Sequence, residues 1–178
     1  MLKGNARTNP ILAEGARFIL TIALVVGILF FLLQPFEIHL QIAEAGFVQS
    51  ALHALGTETR PTENPIQFFA GEKLIEISPL CSGLLEMILL VAAIVATRDA
   101  SVRKKIIGII LGVGVLFAWN LVRMLISIQQ LLHTNLEFAE LTHGVLFRVM
   151  LVIGFALIYW IWLHGKDFLV HGEKKQWW

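Results

Sequence analysis

Three side chains in this sequence could together support acyl transfer through a thiol. Cys81 is the sole cysteine, and a thiol attacks a carbonyl carbon as the thiolate, which a nearby cation or histidine favours. His143 could exchange protons with that thiol or with a leaving amine. Arg123 stays protonated and could stabilise the oxyanion of a tetrahedral intermediate. These residue types predict the nucleophile, base and electrophile of catalysis through a thioester.

The elements that must position these residues are hydrophobic helices. Apolar residues make up 57% of the 178 and charged residues only 15%, whereas soluble domains average about half apolar and a quarter charged. Four stretches are long enough to cross about 30 Å of hydrocarbon, namely residues 18–36, 79–97, 106–132 and 142–163. We therefore expect an all-α integral membrane protein of about four transmembrane helices, with residues 1–178 forming a single membrane domain.

The distribution of lysine and arginine predicts the orientation of these spans. With four spans, ten of the 14 basic residues fall on one side: Lys3, Arg7, Arg17, Arg98, Arg103, Lys104, Lys105, Lys166, Lys174 and Lys175. Both termini should therefore be cytoplasmic. Cys81, Arg123 and His143 then converge at the outer ends of three different spans, which predicts an active site at the extracytoplasmic face of the cell membrane.

The outer loop, residues 37–78, is expected to be structured. Ile38–Leu55 has apolar residues at helical spacing, which suits a short helix on the outer leaflet. The segment Arg60–Pro65 should end that helix. Ile66–Phe69 and Leu74–Ile77 flank a glycine-containing turn, which predicts a β-hairpin that delivers the chain to the cysteine.

Polar residues inside the predicted spans are candidates for support. Asn120 lies three residues before Arg123 on the same helix face, so it could orient the guanidinium or bind substrate backbone. Arg123 could instead extend to the outer headgroups. Glu86 and Arg148 lie five residues inward from the cysteine and the histidine, so we expect them to form a salt bridge between the second and fourth spans. Gly108 and Gly112 suggest close helix packing.

Composition also excludes several functions. A single cysteine cannot build an intramolecular disulfide, a CxxC redox pair or a thiolate zinc site. The sequence shows no metal-ligand cluster and no nucleotide loop, so no cofactor and no metal are expected. It has no basic stripe with interleaved aromatics, so no nucleic-acid partner is expected. A non-catalytic membrane scaffold or transport subunit remains an alternative, in which the cysteine is a packing residue.

Three segments carry a resemblance to a known family. Ile75–Leu84, which contains Ser-Pro-Leu-Cys-Ser-Gly, resembles the hairpin and Cys-Ser-Gly motif of the exosortase/archaeosortase family. Asn120–Arg123 resembles the family's Asn-x-x-Arg segment, and Thr142–Gly144 resembles its later histidine motif. The order and spacing are similar over residues 66–163, more than half of the chain.

This resemblance implies protein sorting. Members act on exported proteins whose C-terminal tail has a short motif, a hydrophobic helix and a basic end. They are expected to cleave near the motif and to transfer the new carboxyl end to an acceptor, here a membrane lipid. For the matching positions of this chain, the resemblance implies that Cys81 is the nucleophile, that Arg123 stabilises the oxyanion or thiolate, and that His143 is the proton shuttle. Ser82, Gly83 and Asn120 are motif neighbours.

Two departures from the family pattern leave alternatives open. Typical members are longer and have more spans, so this chain resembles a minimal core. Some relatives have arginine where others have histidine, which makes Arg148 an alternative to His143 as third catalytic residue. A plain intramembrane thiol protease, which would release its product to water, is the other catalytic possibility.

Overall fold

The computed structural model describes residues 10–133 and 147–169, with five α-helices and a three-stranded sheet in these ranges. In chain order they are α1 (Pro10–Leu33), a 3-10 turn (Gln34–Phe36), α2 (Glu37–Ala54), β1 (Thr59–Pro61), β2 (Gln67–Ala70), β3 (Lys73–Glu76), α3 (Leu84–Ala96), α4 (Val102–His133) and α5 (Phe147–Leu169).

Large apolar side chains cover much of the outer surface. On α1, for example, Leu20 is 70% exposed and Phe31 is 77% exposed. So large an apolar surface suits contact with lipid rather than water. Among the residues described with side chains, two helical stretches are long and apolar enough to cross a membrane, Ile11–Ala54 and Val102–His133. The predicted helical membrane architecture is supported, while the number of four spans stays a prediction.

The second predicted span is shorter as a helix than the sequence suggested. Helix α3 begins at Leu84 and has 13 residues, which corresponds to about 20 Å. The chain before it turns sharply because Gly83 has a φ of +65°, outside the helical region. The predicted range 79–97 therefore consists of a turn followed by a helix that is shorter than about 30 Å of hydrocarbon.

Helix α3 is the central helix of the bundle, because it packs against α1, α4 and α5. Two glycines of α4 permit this close packing. A Cβ atom at Gly108 would lie 2.0 Å from Trp162 Nε1 on α5, and one at Gly112 would lie 2.8 Å from Leu90 Cδ2 on α3. The prediction that these glycines form a close helix-packing face is confirmed.

The sheet is antiparallel with strand order β1-β2-β3. Strands β2 and β3 form the predicted hairpin, in which Phe68 lies opposite Ile75. Strand β1 was not predicted, because its segment contains Pro61 and was expected only to end a helix. Pro61 pairs with Phe68 in an edge strand, which is the position where a sheet tolerates proline.

The sheet, α2 and α4 enclose one hydrophobic core. Phe68, which is fully buried, comes from the sheet, Val48 and Leu52 come from α2, and Met124 and Ile128 come from α4. The predicted outer-loop helix is thus confirmed as a helix, and one of its faces is buried. Cys81 packs against this core. The packing therefore fixes the hairpin, and the turn that follows it, against α4.

Candidate active site

Cys81 lies in a tight turn that joins the hairpin to α3. The N–H of Cys81 donates to the carbonyl of Ser78 at 2.8 Å, and the N–H of Ser82 donates to the carbonyl of Pro79 at 3.4 Å. The hydroxyl of Ser82 donates to the same Pro79 oxygen at 2.9 Å, and Ser82 is fully buried. Ser82, a predicted supporting residue, therefore stabilises the turn that presents the cysteine.

The thiol of Cys81 is half-buried and accepts a hydrogen bond from Ser78 Oγ at 3.2 Å. A donor to the sulfur favours the thiolate, because it bonds more strongly to the charged form. Sequence reasoning did not place Ser78 in the site. The signal was its position three residues before the cysteine next to Pro79, a spacing that a tight turn brings together.

Two side chains of α4 hold the backbone of the same cysteine. Arg123 Nη2 donates to the carbonyl oxygen of Cys81 at 2.7 Å, and Asn120 Nδ2 donates to it at 2.9 Å. Both side chains are buried, with Arg123 5% exposed and Asn120 0% exposed. The structure therefore places the guanidinium beside the residue that carries the thiol.

Asn120 also binds the arginine directly, because its Oδ1 accepts a hydrogen bond from Arg123 Nε at 3.0 Å. The spacing of three residues on one helix face predicted this pairing. Gly83 lies against the amide, and a Cβ atom there would be 3.1 Å from Asn120 Cγ. Gly83 thus serves two needs, the left-handed backbone of the turn and the close approach to Asn120.

A fully buried carboxyl group joins this cluster from α2. Glu44 is 0% exposed, and its Oε1 accepts a hydrogen bond from Asn120 Nδ2 at 3.0 Å. Sequence reasoning missed Glu44, because an acidic residue on an amphipathic surface helix is normally assigned to the solvent side. The available signal was its helical spacing with Gln41, Val48 and Leu52, which all lie on the buried face.

The remaining predicted site residues are placed only in part. His143 lies outside the described residues, and so does the side chain of Arg148. Glu86 is half-buried in the first turn of α3, which follows the cysteine turn. The predicted Glu86–Arg148 salt bridge and the choice between His143 and Arg148 therefore stay predictions.

The arrangement can position a nucleophile and place positive charge beside it. Its parts are a thiol in a fixed turn, a hydroxyl that donates to the sulfur, and a guanidinium and an amide that hold the cysteine carbonyl. A positioned nucleophile and a nearby cation are two of the features that acyl transfer through a thiol uses. Within the part of the chain that the structure describes, no group of three His, Cys, Asp or Glu side chains could hold a metal ion.

The fold and this cluster define a membrane protein that carries a positioned thiol next to a buried arginine. The sequence model of the family described as Transmembrane exosortase (Exosortase_EpsH) matches residues 11–170, which is most of the chain. The chain therefore belongs to the transmembrane exosortase family, as its motifs predicted. Comparisons with curated proteins and with solved structures gave no match. Membership supports a membrane location and an exosortase-like function.

Proposed function

We propose that this chain is a cysteine transpeptidase of the cell membrane. It cleaves the C-terminal sorting tail of exported proteins and transfers the new carboxyl end to an acceptor, a membrane lipid. The observation that carries this proposal is the anchoring of Cys81 to Arg123 and Asn120 within an apolar bundle. A charged residue inside a membrane helix costs at least about 2.5–3.5 kcal/mol, and such residues are mostly functional. An arginine held on the sole cysteine supports a chemical role over a packing role.

In the proposed reaction, His143 takes the proton of the Cys81 thiol, and the resulting thiolate attacks the carbonyl carbon of the scissile peptide bond. A carbon–sulfur bond forms, and the negative charge moves to the carbonyl oxygen, where the Arg123 guanidinium stabilises it. The intermediate collapses to a thioester as the carbon–nitrogen bond breaks, and the leaving amine takes a proton from His143. Ser78 favours the attacking thiolate through the hydrogen bond to the sulfur.

The second half of the proposed reaction releases the enzyme. A hydroxyl or amine of the lipid acceptor attacks the thioester carbonyl and gives its proton to His143. The carbon–sulfur bond breaks, the thiolate returns, and the carboxyl end of the exported protein is joined to the acceptor. If water attacked instead, the product would be a free carboxylate, which is the outcome expected of a plain thiol protease.

The test is expression of the chain with a co-expressed exported protein that bears a sorting tail. Cys81→Ala and Cys81→Ser should both abolish tail processing, because each removes the nucleophile, while the amount of the chain in the membrane stays normal. Serine keeps the size and hydrogen-bonding capacity of the thiol, so it separates loss of chemistry from loss of folding. Normal processing by either variant would overturn the proposal.

Mass spectrometry of the processed protein identifies the product. A C-terminal residue that carries an added lipid mass supports transfer, and a free carboxylate supports hydrolysis. A non-catalytic scaffold predicts a third result, in which the Cys81→Ser variant still supports the same amount of processed product. The control variant is Ser50→Ala, since the Ser50 hydroxyl is exposed and bonds only to Gly46 of its own helix among the described residues.

A further inference from the structure

Glu44 combines full burial with a bond to the candidate active site, a combination that calls for an explanation. Its neighbours on the buried face of α2, Ala45, Val48 and Leu52, lie in the hydrophobic core, where a carboxyl group is poorly solvated. Among the described residues, Glu44 is the one acidic side chain that is buried. Buried polar groups are retained where a network uses them.

The hydrogen bonds of Asn120 show what Glu44 does. The Asn120 amide donates from Nδ2 to Glu44 Oε1 at 3.0 Å and to the Cys81 carbonyl oxygen at 2.9 Å. Its Oδ1 accepts from Arg123 Nε at 3.0 Å. The amide has two N–H donors on one side and an acceptor on the other, so this set of partners fits one of its two orientations.

Rotation of the amide by 180° would break all three bonds. It would point Oδ1 at the oxygens of Glu44 and Cys81, and it would point an N–H at the guanidinium of Arg123. Glu44 therefore helps to hold the orientation in which Asn120 supports both the arginine and the cysteine carbonyl. Its other oxygen, Oε2, has no hydrogen-bond partner within the described residues, so Asn120 is the described hydrogen-bond partner of this carboxyl group.

From this geometry we infer that Glu44 is a positioning residue of the active site. It fixes the Asn120 amide, and through that amide it fixes Arg123 Nε and the carbonyl of Cys81. The inference rests on the proposed function, because it names the residue that aligns the catalytic pair. Glu44 itself bonds to Asn120 and is assigned no contact with substrate.

The test compares two substitutions that differ in hydrogen bonding. Glu44→Gln keeps an oxygen that can accept from Asn120, so tail processing should stay within about threefold of the unmodified chain. Glu44→Ala removes the acceptor, so kcat should fall about 10- to 100-fold with little change in KM, since small misplacements of catalytic groups have effects of this size. Should Glu44→Ala fail to accumulate in membranes, Glu44→Met fills the volume better and gives the same comparison.

Gln41 provides a matched control. It lies one helical turn before Glu44 on the same buried face, is 3% exposed, and has no described bond to Asn120. Gln41→Met should therefore leave processing within about threefold of the unmodified chain. If the substitutions acted by loosening α2 in general, processing would instead fall in both Gln41→Met and Glu44→Ala. Equal losses in Gln41→Met and Glu44→Ala would overturn the positioning role, and so would equal losses in Glu44→Gln and Glu44→Ala.

A second measurement does not depend on processing. The chain has one cysteine, so the rate of alkylation by iodoacetamide in the purified full chain reports on Cys81 alone. Glu44→Ala and Asn120→Ala should each slow alkylation at neutral pH at least about fivefold, because a misaligned guanidinium favours the thiolate less. The double variant should be no slower than Asn120→Ala, since Glu44 acts through Asn120.

The processing assay and the alkylation assay distinguish a failure of the proposed function from a failure of the positioning role. If the unmodified chain processes no tail, the proposed function fails, while coupled alkylation rates would still support Glu44 as the residue that positions the cluster. If processing is normal and the effects of Glu44→Ala and Asn120→Ala on alkylation multiply in the double variant, the positioning role is wrong and the proposed function stands.

Discussion

The sulfur and the backbone of Cys81 are held by different groups, so their contributions can be separated. Ser78 donates to the sulfur at 3.2 Å from the turn that carries the cysteine. Arg123 and Asn120 donate to the carbonyl oxygen from α4. Substitutions in the turn should therefore change the reactivity of the thiol directly. Substitutions that move Asn120 should change it indirectly, through the position of the whole residue and of the Arg123 guanidinium.

Ser78→Ala tests the first of these effects. It removes the hydroxyl donor to the sulfur, a hydrogen bond worth about 1 kcal/mol, so alkylation of Cys81 at neutral pH should slow about fivefold. Tail processing should fall by a similar factor. The matched control is Ser50→Ala, whose hydroxyl bonds to its own helix. An unchanged alkylation rate in Ser78→Ala would show that the hydroxyl does not stabilise the thiolate.

Gly83→Ala tests the second effect. The new Cβ would lie 3.1 Å from Asn120 Cγ on a backbone with φ of +65°, so both the turn and the amide must shift. Gly71→Ala is the control, because Gly71 has a φ of +59° with nothing within 4 Å of its Cβ position. Each variant should lose about 1–2 kcal/mol of stability from the left-handed backbone. Only Gly83→Ala should lower processing, by about tenfold or more, which thermal unfolding and processing assays would show side by side.

At the scale of the elements, short-range sequence patterns predicted the helix and the hairpin that depend on short-range interactions. Helical spacing predicted α2, and two apolar runs around a glycine turn predicted the β2-β3 hairpin. Strand β1 and the late start of α3 depend on tertiary pairing and on the left-handed conformation of Gly83, which a hydropathy pattern does not contain. The pairing of Asn120 with Arg123 was predicted correctly, because residues three positions apart are neighbours on the surface of a helix. Glu44 was missed because its bond to Asn120 joins residues 76 apart in the chain.

The packing of α4 against α5 gives a prediction at the same scale. Gly108→Ala would bring a Cβ to 2.0 Å from Trp162 Nε1, so the indole must leave its place, where it donates to the carbonyl of Lys104. The expected cost is about 1–3 kcal/mol. Gly114→Ala is the control on the same helix, since nothing lies within 4 Å of its Cβ position. Gly114→Ala should raise stability by about 0.5–1 kcal/mol, because alanine favours a helix more than glycine does.

Thermal unfolding of the two variants in detergent, followed by tryptophan fluorescence, measures this difference. A lower midpoint for Gly108→Ala together with an equal or higher midpoint for Gly114→Ala is the expected result. Equal midpoints would mean that α5 moves away from α4 at little cost. In that case, the contact between Gly108 and Trp162 would not determine the position of α5.

At the scale of the whole molecule, the charge distribution predicts that Cys81 faces the outside of the cell. The thiol is half-buried and is the only one in the chain, so a membrane-impermeant maleimide applied to intact cells should label it and should label no Cys81→Ala chain.

In the Cys81→Ala background, Glu63→Cys in the exposed loop before β2 should also be labelled on intact cells. Asp99→Cys, exposed between α3 and α4 among basic residues, should be labelled only after the membrane is opened. If Cys81 and Glu63→Cys both required opened membranes while Asp99→Cys did not, the thiol would be on the wrong side for exported proteins. The odd number of crossings between the two control sites, which α3 provides, would still hold, so this result would reject the outward-facing active site without rejecting the arrangement of the helices.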